Sequence, residues 1–214
     1  NTEVVDVVNQ LLMSTANPII GANGTYTSVR AQGAGVANAY DALKANAMIY
    51  VNDCARPKAE MGSSKQGVYS YTMKVKNTGS APITYTLNTK AITDEYVEFE
   101  GEFYSTTTSK ELTQEDITIT YSDNVVNNMI TVNPNETVEI TVNMKLSEEY
   151  KKTQDEIFIN GSYVEGYTFL QTETDQELVV PFLGFYGDFD SLPLLEGIPY
   201  EDKKVKEKVK LNIL

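Results

Sequence analysis

Serine and cysteine hydrolases rely on an imidazole to accept the nucleophile's proton near neutral pH, and zinc sites usually enlist one as a ligand. This chain has no histidine. Ser14, Ser63, Ser64 and Ser122 therefore have no ordinary base to activate them, and a lysine base would need a buried site that depresses its pKa. The single cysteine, Cys54, rules out an internal disulfide and a four-cysteine metal site. Its nearest cation is Arg56 and no helix start adjoins it, so it reads as a structural thiol rather than a nucleophile. No catalytic residue is assigned.

Three patterns remain that could bind something. Gly33-Ala34-Gly35 precedes a helical segment, as a phosphate-cradling turn would. No strand pattern leads into it, and Asn38 stands where the third glycine of a dinucleotide fingerprint belongs, so close helix packing by small residues is the simpler reading. Gly187-Asp188-Phe189-Asp190-Ser191 and Asn52-Asp53 offer oxygen atoms to calcium, but without the glycine and distal glutamate of a dedicated loop they read as solvated acidic turns. No cofactor or metal is expected, calcium being the one ion with ligands on offer. The third pattern is aromatic. Tyr96, Phe99, Phe103 and Tyr104 fall close together, and if several are exposed at one end of a sheet they would grip a polypeptide substrate.

The elements that must carry these residues change character along the chain. Val4, Val5, Val8, Leu11 and Leu12 recur at helical spacing in residues 1–15, and a second short helix is expected through Ala39, Tyr40, Ala42 and Leu43. Two helices and a glycine turn are too little for a core of their own. From about residue 50 the period becomes two: Tyr69, Tyr71, Met73 and Val75 share one face, and Val138, Ile140, Val142, Met144 and Leu146 another. Similar alternation marks Ile83 to Leu87, Val97 to Phe103, Ile117 to Tyr121, Ile130 with Val132, and Ile157 with Ile159. A helical turn is expected near Ser147–Thr153. The closing apolar run from Leu178 to Tyr186 contains Pro181, which predicts an irregular or peripheral strand. Short strands rich in Thr, Tyr and Val at this spacing predict an antiparallel β-sandwich of immunoglobulin or fibronectin type III kind.

Composition agrees: 41% hydrophobic and 22% charged residues suit a globular chain. The formal net charge of −13 repels nucleic acid and anionic lipid. There is neither a run of eighteen apolar residues nor a basic-then-apolar start, so no membrane span or secretion signal is expected within this segment.

Leu11 to Pro18 and Arg30 to Ala39 resemble the end of the catalytic domain of subtilisin-like proteases. Val75-Lys76-Asn77-Thr78-Gly79, Val132-Asn133-Pro134-Asn135-Glu136-Thr137-Val138 and Val180 to Phe189 resemble the fibronectin-like domain that follows it in the cell-envelope enzymes of Gram-positive bacteria. The resemblance implies a division into 1–49, a two-helix remnant of an α/β subtilase domain; 50–190, the sandwich; and 191–214, a linker or the start of another domain. It places the family's nucleophile, histidine and aspartate upstream of Asn1. The implied role is a non-catalytic accessory of an extracellular, secreted or wall-associated serine endopeptidase. Its implied partners are the rest of the parent chain and protein or peptide substrates, with Tyr96, Phe99, Phe103 and Tyr104 as the substrate-binding candidates. An adhesion or carbohydrate-binding module and a structural spacer are the rival readings.

Overall fold

A computed structural model describes residues 2–52, 56–158 and 160–189. Cys54, Asp53, Ile159, Asp190 and the segment 191–214 lie outside them.

Two sheets face each other. The four-stranded sheet has the order β1-β3-β8-β6, from β1 (Ala47–Val51), β3 (Val68–Asn77), β8 (Thr137–Leu146) and β6 (Ile117–Tyr121). The six-stranded sheet runs β2-β10-β9-β4-β5, with β2 (Ala59–Ser64), β10 (Leu178–Tyr186), β9 (Ser162–Gln171), β4 (Ile83–Phe99) and β5 (Glu102–Glu111); β7 (Met129–Val132) also pairs with β4. The period-two pattern explains the first sheet. Tyr69, Tyr71, Met73 and Val75 of β3 and Ile140, Val142, Met144 and Leu146 of β8 are all buried, in register Tyr71↔Val142 and Met73↔Ile140. Each such side chain taken from water contributes on the order of 1.5–3 kcal/mol.

Hydroxyls bridge the two sheets through this apolar interior. Tyr71 of β3 lies 2.6 Å from Thr168 Oγ1 of β9, Thr168 lies 2.8 Å from Thr89 Oγ1 of β4, and Thr89 lies 2.9 Å from the Tyr121 hydroxyl of β6. A chain of satisfied hydroxyls fixes one sheet on the other, where an apolar core alone would tolerate sliding.

Several expectations need correction. Pro181 does not lie at the periphery: β10 sits between β2 and β9 and is buried along most of its length. The proline is tolerated because pairing with β2 begins only at Phe182, so no ladder bond to β2 is needed there. The irregularity lies further on, at a register shift between Leu183 and Gly184. Ile157 belongs to a helix, α4 (Glu148–Ile157), capped by Ser147, whose Oγ accepts from the Tyr150 amide at 3.2 Å. The strand after it is β9, where Gly166 is required: with φ near 150°, an added Cβ would lie 2.0 Å from the Lys90 carbonyl oxygen.

The N-terminal segment forms α1 (Thr2–Ser14), α2 (Val29–Gln32) and α3 (Ala39–Lys44). The change of period set at residue 50 falls inside β1, whose Ala47, Ile49 and Val51 are buried in the sandwich. Between α1 and α2 the chain crosses the outer face of the six-stranded sheet. Tyr26 and Val29 pack there on Tyr167, Phe169 and Val179. Gly35 packs against backbone rather than a helix, because an added Cβ would stand 2.4 Å from the Asn17 carbonyl oxygen in the Asn17–Val36 bridge.

Candidate functional site

The β4–β5 hairpin runs out past the body of the sandwich as an arm. Up to Asp94 it is an ordinary ladder, with Ser109 opposite Asp94; the next pair is Tyr96 with Ser105, so Thr106, Thr107 and Thr108 oppose Glu95 alone. Thr106 Oγ1 donates to the Glu95 carbonyl at 3.3 Å, and Thr108 Oγ1 bonds the Glu95 carboxylate. A bulge of this kind bends the strands and increases their twist. Beyond it, four pairs from Tyr96↔Ser105 to Phe99↔Glu102 end in Glu100-Gly101, with φ of 53° and 81°. Two successive positive φ values are the signature of a tight hairpin turn whose twist matches the strands.

All four candidate aromatics lie on this arm, on opposite faces. Directly paired residues share a face. Tyr96 therefore lies with Phe103, edge to face at 5.5 Å between ring centroids, and Phe158 at the end of α4 meets Tyr96 at 5.9 Å. Phe99 and Tyr104 share the other face with Val97. Phe99 is 63% exposed, Tyr104 51% and Phe103 43%. The sequence pattern located the arm; it did not indicate Phe158, which arrives from a helix more than fifty residues away. Charge is one-sided, since Glu95, Glu98, Glu100 and Glu102 stand on the arm and no lysine or arginine occurs between Lys90 and Lys110.

The base of the arm is locked to the N-terminal segment. Glu165 of β9 is 0% exposed. Its carboxylate accepts from Arg30 Nε at 3.1 Å, Arg30 Nη2 at 2.9 Å, the Arg30 amide at 3.2 Å, and Ser28 Oγ at 2.9 and 3.0 Å. Arg30 Nη2 also bonds Asp94, whose other oxygen accepts from the Tyr163 amide at 3.2 Å, and the guanidinium lies 3.8 Å from the Tyr163 ring centroid. Burial by itself would lower the Arg30 pKa; hydrogen bonds and charge from Glu165 and Asp94 outweigh it, so the group is held above its ordinary value. Nearby, the Tyr167 hydroxyl sits 3.2 Å from both the Thr27 and Gly33 carbonyl oxygens, and Asn23 Nδ2 donates to Ser109 O at 2.9 Å. Sequence reasoning missed this clamp. A glutamate inside an apolar strand was the available signal, but its partner stands 135 residues away.

A cleft of about 630 Å³ opens where β4 is unpaired between β7 and β5, lined among others by Leu87, Thr89, Ile117 and Tyr121. Lys90 Nζ and Glu111 pair beside it at 2.6 Å. Within it the Thr89 and Tyr121 hydroxyls are bonded to each other, and Thr113 Oγ1 donates to the Asp116 carboxylate at 2.9 Å. Among the described residues no group of three or more acidic or thiol side chains converges as a metal site would need, and no helix is long and apolar enough to cross a membrane.

A two-sheet sandwich with one projecting arm is an immunoglobulin- or fibronectin-like architecture. The chain belongs to the Fn3-like domain family, whose profile matches residues 60–183, more than half of its length. Its relatives are proteases. It is 28% identical over 212 residues to the C5a peptidase of Streptococcus pyogenes serotype M1, a match covering 94% of this chain and 16% of that protein. It is 25% identical over 207 residues to the PI-type proteinase of Lactococcus lactis subsp. cremoris, covering 93% of this chain and 10% of that protein. The chain thus spans no more than about a sixth of the length of these relatives.

Proposed function

We propose that this chain is a non-catalytic accessory of an extracellular, secreted or wall-associated, subtilisin-like serine endopeptidase. It braces the catalytic domain and positions protein substrates with its aromatic arm. The observation that carries the reading is the Arg30–Glu165–Asp94 clamp. A flexible spacer has no use for a buried carboxylate tied to a segment 135 residues away, whereas a brace needs its junction fixed. The N-terminal segment so fixed turns apolar side chains outward: Val4, Val5, Val7 and Val8 of α1 with Ile19, Ile20, Tyr40 and Leu43 are exposed, while Leu11 and Leu12 are half-buried. Exposed apolar surface of that extent is what a face covered by an upstream domain looks like. The arm then stands at a set attitude, so that contacts to remote parts of a substrate orient the scissile bond.

The test uses the parent protease with Phe99→Ser and Tyr104→Ser. Losing two exposed aromatic contacts lowers kcat/KM for a folded protein substrate by roughly tenfold, given about 0.5–1.5 kcal/mol for each. A short peptide that spans only the cleft is cleaved at an unchanged rate. Equal loss on both substrates, or loss on neither, removes the positioning role.

A further inference from the structure

The arm carries more information than its rings. β5 ends the six-stranded sheet, pairing with β4 and, among the described residues, with no strand on its other side. A ten-residue edge is a template for another strand, and proteins usually blunt such edges with charged side chains, above all lysine, with proline, with a bulge such as the one at this arm's root, or with a cover. From Glu102 to Ser109 this edge has no proline and no lysine. Only its root is occupied: Ser109 O already accepts from Asn23, and Thr106 and Thr108 turn their hydroxyls inward on the bulge. The open stretch is therefore Glu102 to Ser105, the part bracketed by aromatics on both faces.

Resting on the substrate-positioning reading above, we propose that the free edge of β5 along the arm takes an extended, lysine- or arginine-bearing segment of substrate polypeptide as an added strand. Three features select this occupant. Strand addition offers backbone hydrogen bonds whatever the sequence, while alternate side chains reach opposite faces. Tyr96 and Phe103 wait on one face, and Val97, Phe99 and Tyr104 on the other. Each face also holds one glutamate, Glu98 beside Phe103 and Glu102 beside Phe99, with Glu100 at the tip. A second copy of this chain would bring the same glutamates and a net charge of −13 against them, so edge-to-edge pairing of copies is opposed, whereas a cationic segment is drawn in.

The experiment titrates the 214-residue chain with a short dye-labelled peptide of alternating valine and lysine, following fluorescence anisotropy at low and high salt. Its twin with alternate backbone nitrogens methylated, and a valine–glutamate twin, serve as comparisons. The lysine peptide binds at least about tenfold more tightly than either, the scale that two or three exposed ion pairs or a few lost backbone bonds supply. Salt reduces that advantage over the glutamate twin, E98Q/E102Q removes it, and binding slows amide exchange in β5 of the arm. Equal binding of the methylated twin overturns strand addition, and equal binding of the glutamate twin overturns the cationic preference. If either occurs while Phe99→Ser and Tyr104→Ser still impair cleavage of a folded substrate, this inference falls and the positioning reading stands. If the lysine peptide binds as described but cleavage is unaffected, the edge is confirmed as a cationic-peptide site and its assignment to substrate falls.

Discussion

Replacing Arg30 by methionine keeps most of the side chain's length but removes its charge and side-chain donors. Glu165 would then be left at 0% exposure with only Ser28 Oγ and the residue-30 amide as donors. Breaking a buried pair by deleting one partner costs about 3–5 kcal/mol. The Arg30 side chain is 36% exposed, so water reaches the gap and reduces the cost to below that range, about 2–3 kcal/mol. For a chain of this size that is a fall in Tm of roughly 4–12 °C. The sharper expectation concerns sign: R30M/E165Q is more stable than R30M by about 1 kcal/mol or more, because the second change removes the stranded charge. Urea unfolding followed by circular dichroism gives both quantities, and hydrogen exchange across residues 15–36 shows whether the segment has lifted from the sheet. A single variant within about 0.5 kcal/mol of the wild type, or a double variant no better than the single, would refute the claim that this clamp fixes the junction.

Other consequences are as direct. Asn77 at the end of β3 is buried and donates Nδ2 to the Ala81 and Val132 carbonyls at 2.8 and 2.9 Å while Oδ1 accepts from the Gly79 amide at 2.8 Å. Asn77→Ala strands those groups and costs about 3 kcal/mol in urea unfolding. Glu100→Asn suits the positive φ at the arm's turn and slows amide exchange in the arm by up to about 1 kcal/mol, with little change in the global midpoint. The pH profile is set by tyrosines. Burial first of all holds Tyr69, Tyr71, Tyr85, Tyr150 and Tyr167 well above 10.0, and burial followed by the Asp155 carboxylate pushes Tyr186 up to about 12. When the chain unfolds these phenols ionise near 10.0, so above that pH the unfolded chain binds fewer protons and stability falls. Each phenol that stays protonated only in the fold removes about 1.4 kcal/mol per pH unit. On the alkaline side, urea midpoints measured in a pH series should therefore drop steeply above pH 10.

The parts of the fold that were legible in the sequence are those where neighbours along the chain share one environment. Alternation in Tyr69 to Val75 and Val138 to Leu146 could only serve a half-buried strand, and both stretches form the core of the four-stranded sheet. The fibronectin-like resemblance of residues 75–79 has a physical counterpart, since Asn77 is the hydrogen-bonding hub of that turn and Gly79 would press a Cβ to 2.9 Å from Asn46. β9 escaped the period-two reading because Ser162 to Leu170 is covered on both faces, by the core and by the N-terminal segment, so alternation has no reason to appear. Pro181 pointed correctly to an irregular strand, with its register shift between Leu183 and Gly184, but not to a peripheral one, because where β2 begins to pair is revealed by no property of β10.

For the site, the sequence by itself determined where aromatics were dense, because that is a matter of residue type and local spacing. It could not match Phe99 with Tyr104 and Tyr96 with Phe103, since which residues of the two strands share a face is set by the two-residue turn at Glu100-Gly101. Nor could it join Arg30 to Glu165. Burial of a carboxylate is tolerable only when a cation and several donors converge on it, and that convergence exists only once the sheet has formed and the N-terminal loop has closed over it.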